Sequence, residues 1–132
     1  MGERTATVLR GAPAKRASIL EGLSDDAVVI TNYETMQIMS KTLGKMKWDQ
    51  VVLDEAHRIK ERAALVTKGA WRLKKARSVV LVTATPILNH SEEVWSLLHM
   101  LKPTEYKSYW RWVDERFVVT EQYFDPAARY PT

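Results

Sequence analysis

The sequence predicts an α/β fold built on a parallel β-sheet of at least four strands with helices on both faces. Three observations carry that expectation. Four short apolar, β-branched runs recur along the chain, at Thr5–Leu9, Ala27–Thr31, Val51–Leu53 and Val79–Thr83. Segments with helical spacing separate them, which gives a β-α-β-α rhythm. The last three runs are near-continuous rather than alternating, the pattern of strands buried on both sides.

Taken in order, the first intervening segment, Pro13–Gly22, opens on proline and closes on glycine, as a short helix does. Glu34–Leu43 sets Met36, Met39 and Leu43 on one side, with Gly44 as its stop signal. From about Glu61 to Ala76, Val66, Ala70 and Leu73 share a face, and Lys68, Arg72 and Lys75 lie on the opposite one. Glu92–Leu101 carries Val94, Leu97, Leu98 and Leu101 at core-facing spacing and ends at Lys102-Pro103. A last helix, about Glu105–Phe117, lines up Tyr106, Tyr109, Trp110, Val113 and Phe117. That aromatic stripe could stack on bases, but its spacing is that of a buried helix face, and the core is the favoured place for it. No repeat, low-complexity tract or linker interrupts the chain. Residues 1–120 form the folded part and residues 121–132, with two prolines, a tail.

Composition bounds the functional classes. A chain of 132 residues is one domain or a piece of one, long enough to bury a core. It has no cysteine, which excludes disulfides and thiolate metal sites, and His57, His90 and His99 lack the spacing of a zinc site. No apolar stretch approaches membrane-spanning length, no signal region follows Met1, and position 6 is Ala where a myristoylation pattern needs Ser or Thr. An intracellular protein without membrane contact is expected. Net charge is +4, and residues 41–77 hold eleven Lys or Arg against four acids. This basic excess brackets Asp54 and Glu55 in sequence. It suits a polyanion such as nucleotide phosphate or nucleic acid, and equally a solvated helix face.

The most informative chemistry is Asp54-Glu55-Ala56-His57, directly behind Val51-Val52-Leu53. Two adjacent carboxylates then sit at the carboxyl end of a buried strand, where open α/β sheets bind ligands. NTP hydrolysis needs one acid to hold Mg²⁺ and another to organise the attacking water.

With its strand, that tetrad resembles the Walker B element of superfamily-two helicases, and three further stretches narrow the resemblance to the Swi/Snf-type branch. Val28-Val29-Ile30-Thr31-Asn32-Tyr33-Glu34-Thr35 is similar to the strand and turn that contact the nucleic-acid backbone. Asp54-Glu55-Ala56-His57-Arg58-Ile59-Lys60 resembles the branch's extended acidic motif. Leu81-Val82-Thr83-Ala84-Thr85-Pro86-Ile87-Leu88-Asn89, with Glu92-Glu93-Val94-Trp95-Ser96-Leu97-Leu98 after it, resembles the third motif and its helix. Thr7-Val8-Leu9-Arg10-Gly11 looks like the strand before the backbone-contact motif.

The resemblance implies a three-layer RecA-like lobe of the P-loop NTPase type, here incomplete. It implies ATP and Mg²⁺ as cofactors and DNA as partner, duplex rather than single-stranded. Asp54 would hold Mg²⁺ through a water, and Glu55 would orient and deprotonate the attacking water. His57, Thr83 and Thr85 would couple nucleotide state to nucleic-acid grip through side-chain hydrogen bonds. Thr31 and Tyr33 would touch the nucleic-acid strand, mainly its phosphates. The plain alternatives are that Thr83 and Thr85 only finish a strand, Tyr33 only starts a helix, and the acid pair only caps one.

Two departures from the family pattern stand out. Ala84 occupies a position usually held by Gly. No Gly-x-x-x-x-Gly-Lys-Ser/Thr loop exists in the sequence, whose five glycines are scattered at 2, 11, 22, 44 and 69. Without that loop no nest of N–H groups and no lysine cradle the phosphates, and the second lobe with its arginine finger is absent too. The expectation is a later part of a first ATPase lobe, inactive alone, with a companion polypeptide or upstream segment supplying the phosphate-loop strand beside Val79–Thr83. The alternative is a non-catalytic nucleic-acid-binding or regulatory module. A stand-alone metal-dependent hydrolase is disfavoured, because the His-rich spacing it uses is missing.

Overall fold

The computed structural model describes residues 3–87 and 89–117. Its elements follow the anticipated order: β1 (Ala6–Val8), α1 (Pro13–Glu21), β2 (Val28–Ile30), α2 (Tyr33–Lys45), β3 (Gln50–Leu53), α3 (Leu65–Trp71), β4 (Ser78–Leu81), α4 (Val94–Leu101) and α5 (Tyr109–Arg116). One-turn 3-10 helices, Ala56–Ile59 and Ser91–Glu93, follow β3 and precede α4. The expected tail at 121–132 lies outside the described residues.

All four anticipated strands form and pair in parallel, so the α/β class holds. They pair two and two rather than as one ladder: β1 with β2, in register Thr7↔Val29, and β3 with β4, in register Val52↔Val80. One hydrophobic cluster nevertheless unites them, with Leu9, Leu20, Met36, Leu43, Leu53, Ile59, Ala70 and Met100 at its centre. Within each pair, alternate residues are covered: Val29, Val51, Val79 and Leu81 pack against that cluster.

The opposite rows do not. Val8, Ile30 and Val52 are 47%, 52% and 56% exposed, and Val28, Val80 and Val82 are exposed as well. The near-continuous apolar runs predict two covered faces, and only one is covered by the described chain. Period-two geometry places every second residue of such a run on the bare side.

Helix α2 shows how local chemistry sets its ends. The Asn32 side chain accepts the Thr35 amide at 2.8 Å as an N-cap. At the other end, Leu43 gives its carbonyl to the Trp48 indole N–H at 2.8 Å. Gly44 does not stop the helix, which runs on to Lys45. Its role is steric: a Cβ there would stand 2.9 Å from the Arg72 carbonyl oxygen, and one on Gly69 would meet the Gln37 Cα at 3.3 Å. Two glycines thus let α2 and α3 approach closely.

Helix α3 is shorter than the 61–76 segment predicts, because after Trp71 the backbone tightens into successive bonds of the i→i−3 type. Thr67, Gly69 and Ala70 are its fully buried positions, while Lys68, Arg72 and Lys75 are exposed as anticipated. The aromatic stripe packs as core, with Trp112 taking the place expected for Trp110: Trp112 and Val113 are buried with Trp95, and Tyr106, Tyr109 and Phe117 pack around them. Tyr106 itself precedes α5.

Candidate functional site

Parallel register between β3 and β4 pairs Leu53 with Leu81, so both strands end at the same rim. One further rung follows, with Val82 donating its amide to Leu53 at 2.9 Å and Ala56 donating to Val82 at 2.9 Å. Asp54 and Glu55 are exposed just beyond. One carboxylate oxygen of Asp54 accepts the Glu55 amide at 2.9 Å. Glu55 adopts φ 50, ψ 47, and no other non-glycine among the described residues has a positive φ. That left-handed conformation costs about 1–2 kcal/mol for an L-residue. The turn tolerates it because Ala56 and Ile59, both wholly buried, anchor the 3-10 helix on its far side.

The turn brings Glu55 back toward the sheet. Its carboxylate lies 3.3 Å from His57 Nδ1, and the same nitrogen lies 3.3 Å from Thr83 Oγ1. Thr83 Oγ1 in turn accepts the Thr85 amide at 3.2 Å. Glu55, His57, Thr83 and Thr85 therefore form one connected string across the two strand ends, which Thr85 joins through its backbone rather than its hydroxyl.

The β2–α2 turn meets this rim from the other strand pair. Tyr33 donates its hydroxyl to the Asp54 carbonyl at 2.6 Å. Burial of the phenol, against the counter-effect of the Arg58 guanidinium, pushes its pKa up to about 12, so the proton stays in place at neutral pH. Thr31 Oγ donates to the Leu9 carbonyl at 3.3 Å.

Sequence reasoning missed two ion pairs at this rim. Arg58 pairs with Glu34 at 2.9 Å, and its guanidinium lies 5.2 Å from the Tyr33 ring centre. Lys60 reaches Glu93 at 3.5 Å and ties the acidic motif to the start of α4. The available signal was opposite charge inside neighbouring motifs: Glu34 adjoins Tyr33, and Arg58 adjoins His57.

The basic excess does not surround the acids in space. Arg58 and Lys60 are engaged in those ion pairs. A groove of about 400 Å³ lined by Lys45, Lys47, Arg72, Lys75 and Arg77 sits instead around Trp48 and Asp49. Those residues precede β3 and Arg77 precedes β4, which puts the groove at the opposite end of the strands from Asp54. Among the described residues no group of three or more His, Cys, Asp or Glu is placed to hold a metal, and no helix is long and apolar enough to cross a membrane.

An acid pair at the carboxyl end of one parallel strand, linked to the end of the next, stands on an α/β fold of RecA type. The family emerges from comparison with known proteins: the family model of the SNF2-related domain matches residues 3–123, and the chain belongs to that family. It is 34% identical over 101 residues to the ISWI chromatin-remodeling complex ATPase ISW1 of Saccharomyces cerevisiae, covering 74% of this chain and 9% of the relative. It is 38% identical over 96 residues to chromodomain-helicase-DNA-binding protein 6 of Rattus norvegicus, covering 73% of this chain and 4% of the relative. Among solved structures, the Sulfolobus solfataricus SWI2/SNF2 ATPase core in complex with dsDNA superposes with a TM-score of 0.70 at 26% identity, over 95% of this chain and 25% of that one. The chain thus spans a quarter of that solved chain and less than a tenth of these curated relatives.

Proposed function

We propose that this chain contributes the acid-pair and coupling part of a nucleic-acid-dependent ATPase motor of Swi/Snf type, working on duplex DNA. The observation that carries the reading is the convergence of Asp54, Glu55, His57 and Thr83 at one end of two parallel strands. Family membership and a solved relative held on double-stranded DNA support it.

The donor set fits magnesium that arrives with a nucleotide. Mg²⁺ keeps several waters and takes one or two carboxylates plus substrate phosphates rather than a full protein cage, and Asp54 offers one exposed carboxylate. When bound, magnesium ATP supplies the transferable phosphoryl group and the cation that offsets its charge. Asp54 is the residue that would hold the ion, through a water, and Glu55 the one that would orient the attacking water and accept its proton. His57, with Thr83 and the Thr85 backbone, ties the acid pair to the end of β4. Thr31 and Tyr33 face nucleic-acid phosphates, so contact is indifferent to sequence.

Turnover needs more than these residues. Positioning and electrostatics are most of phosphoryl-transfer catalysis, and the sequence contains no phosphate loop. A companion polypeptide or further segment supplies that loop, its strand and the second lobe. The bare apolar rows on both strand pairs support an incomplete lobe, since three-layer folds cover both faces.

Phosphate release by the purified chain, with and without duplex DNA, is expected to stay at background; robust turnover overturns the incomplete-motor reading. In the chain extended with the phosphate-loop segment and second lobe of a relative, Asp54→Ala and Glu55→Ala are each expected to lower turnover by about 10²-fold or more. An extended protein that binds duplex DNA but shows no turnover, and whose binding is unchanged by both substitutions, favours a second reading, a non-catalytic nucleic-acid-binding module. The basic groove remote from the acids is the observation that speaks for it.

A further inference from the structure

The peptide that joins Asp54 to Glu55 is gripped at both of its polar atoms. Its carbonyl oxygen accepts the Tyr33 hydroxyl at 2.6 Å, and its N–H is taken by the Asp54 carboxylate at 2.9 Å. This is the same peptide whose orientation sets Glu55 at φ 50. The two bonds therefore hold a costly backbone conformation, with the Glu55 carboxylate drawn to His57 at 3.3 Å.

Tyr33 reaches that carbonyl from a different strand pair, across 21 positions of sequence. Its ring is steadied by Arg58, itself paired with Glu34 at 2.9 Å. A phenol has one proton to donate, and a phosphate oxygen only accepts. Tyr33 cannot donate to a nucleic-acid phosphate and to the Asp54 carbonyl at once.

We infer that Tyr33 is a positioning residue that couples nucleic-acid contact to the acid pair by competition for its single hydroxyl proton. In the free chain the hydroxyl donates to the Asp54 carbonyl and pins Glu55 beside His57. When a backbone phosphate accepts the hydroxyl's hydrogen bond instead, the Asp54–Glu55 peptide is released, and Glu55 is free to leave His57 and turn toward an attacking water. No covalent step is involved: one hydrogen bond is exchanged for another. The inference rests on the proposed motor reading for its second half, and on geometry alone for its first.

Two measurements on the isotopically labelled chain separate these halves. Without nucleic acid, Tyr33→Phe keeps the ring against Arg58 and removes only the hydroxyl. Amide hydrogen exchange at Glu55 and Ala56 is expected to quicken about fivefold, the size a single neutral hydrogen bond carries, while circular dichroism stays unchanged. Unaltered exchange there overturns the pinning role.

With a short duplex of mixed sequence titrated in, the wild-type Glu55 amide resonance is expected to move along the binding curve. Tyr33→Phe is expected to bind up to about threefold more weakly, the loss of one neutral contact among many charged ones, with that movement abolished at saturating duplex. A Glu55 resonance that moves equally in both proteins, or stays still in wild type while duplex binds, overturns the coupling. The wild-type titration decides by itself should the variant not fold. Absence of any duplex binding overturns the nucleic-acid half together with the motor reading, and leaves the exchange result to decide the pinning role.

Discussion

At the scale of single residues, the described chain uses unfavourable conformations and burials sparingly. Glu55 is one such place, and His99 is another. His99 is only 8% exposed, stacked on Trp95 and edge-on to Trp71. Its Nδ1 donates to the Tyr106 carbonyl at 2.8 Å, which leaves Nε2 bare to accept from the Lys74 ammonium at 3.0 Å.

Protonation would set an N–H against that ammonium inside an aromatic box. Burial first, and Lys74 after it, hold the imidazole below its ordinary value of 6.5, with the Tyr106 bond opposing them. The unfolded chain therefore binds the proton more readily than the folded one. Stability is fully present above pH 6.5 and is lost as pH falls below it. Urea midpoints recorded from neutral to mildly acidic pH are expected to decline over that window. His99→Gln is expected to flatten the part of the decline that begins near 6.5, and an identical profile removes His99 as its source.

At the scale of elements, the crossing of α2 on α3 depends on residues without side chains. Gly44→Ala gains about 1 kcal/mol of helix propensity, but its new methyl meets the Arg72 carbonyl at 2.9 Å. Overpacking of this kind costs about 1–3 kcal/mol. The clash is against backbone, which cannot rotate away, so the loss wins. Gly44→Ala is expected to lower stability by about 1 kcal/mol in chemical denaturation. Gly22→Ala, where the nearest backbone atom is 3.5 Å away, is expected to show no comparable loss, and equal behaviour of the two would refute the steric account.

At the scale of the whole molecule, the apolar rows Val8, Val28, Ile30, Val52, Val80 and Val82 remain in solvent on both strand pairs. Contiguous apolar surface beside unpaired strand edges is an association hazard. Light scattering of the isolated chain is expected to show concentration-dependent self-association. Val52→Thr combined with Val80→Thr replaces one exposed row with hydroxyls while leaving the covered face intact, and is expected to reduce that association. A monodisperse monomer at all concentrations would count against an unfinished lobe.

The amino-acid order alone determined the number and sequence of strands, the parallel α/β class and the family, because those depend on short-range apolar patterning and on contiguous motifs such as Asp54–Lys60. It also placed the acid pair at a strand's carboxyl end, since a strand boundary is a local property. It could not reveal that Glu55 turns back onto His57, that Tyr33 donates a hydrogen bond to the Asp54 carbonyl, or that Gly44 is a packing position within a helix. Nor could it separate the basic groove from the acids it brackets in sequence. Those outcomes belonged to the tertiary structure: burial of Ala56 and Ile59 anchors the Glu55 turn, the other contacts join residues distant along the chain, and only the packing of strands and helices on one another fixes which of them meet.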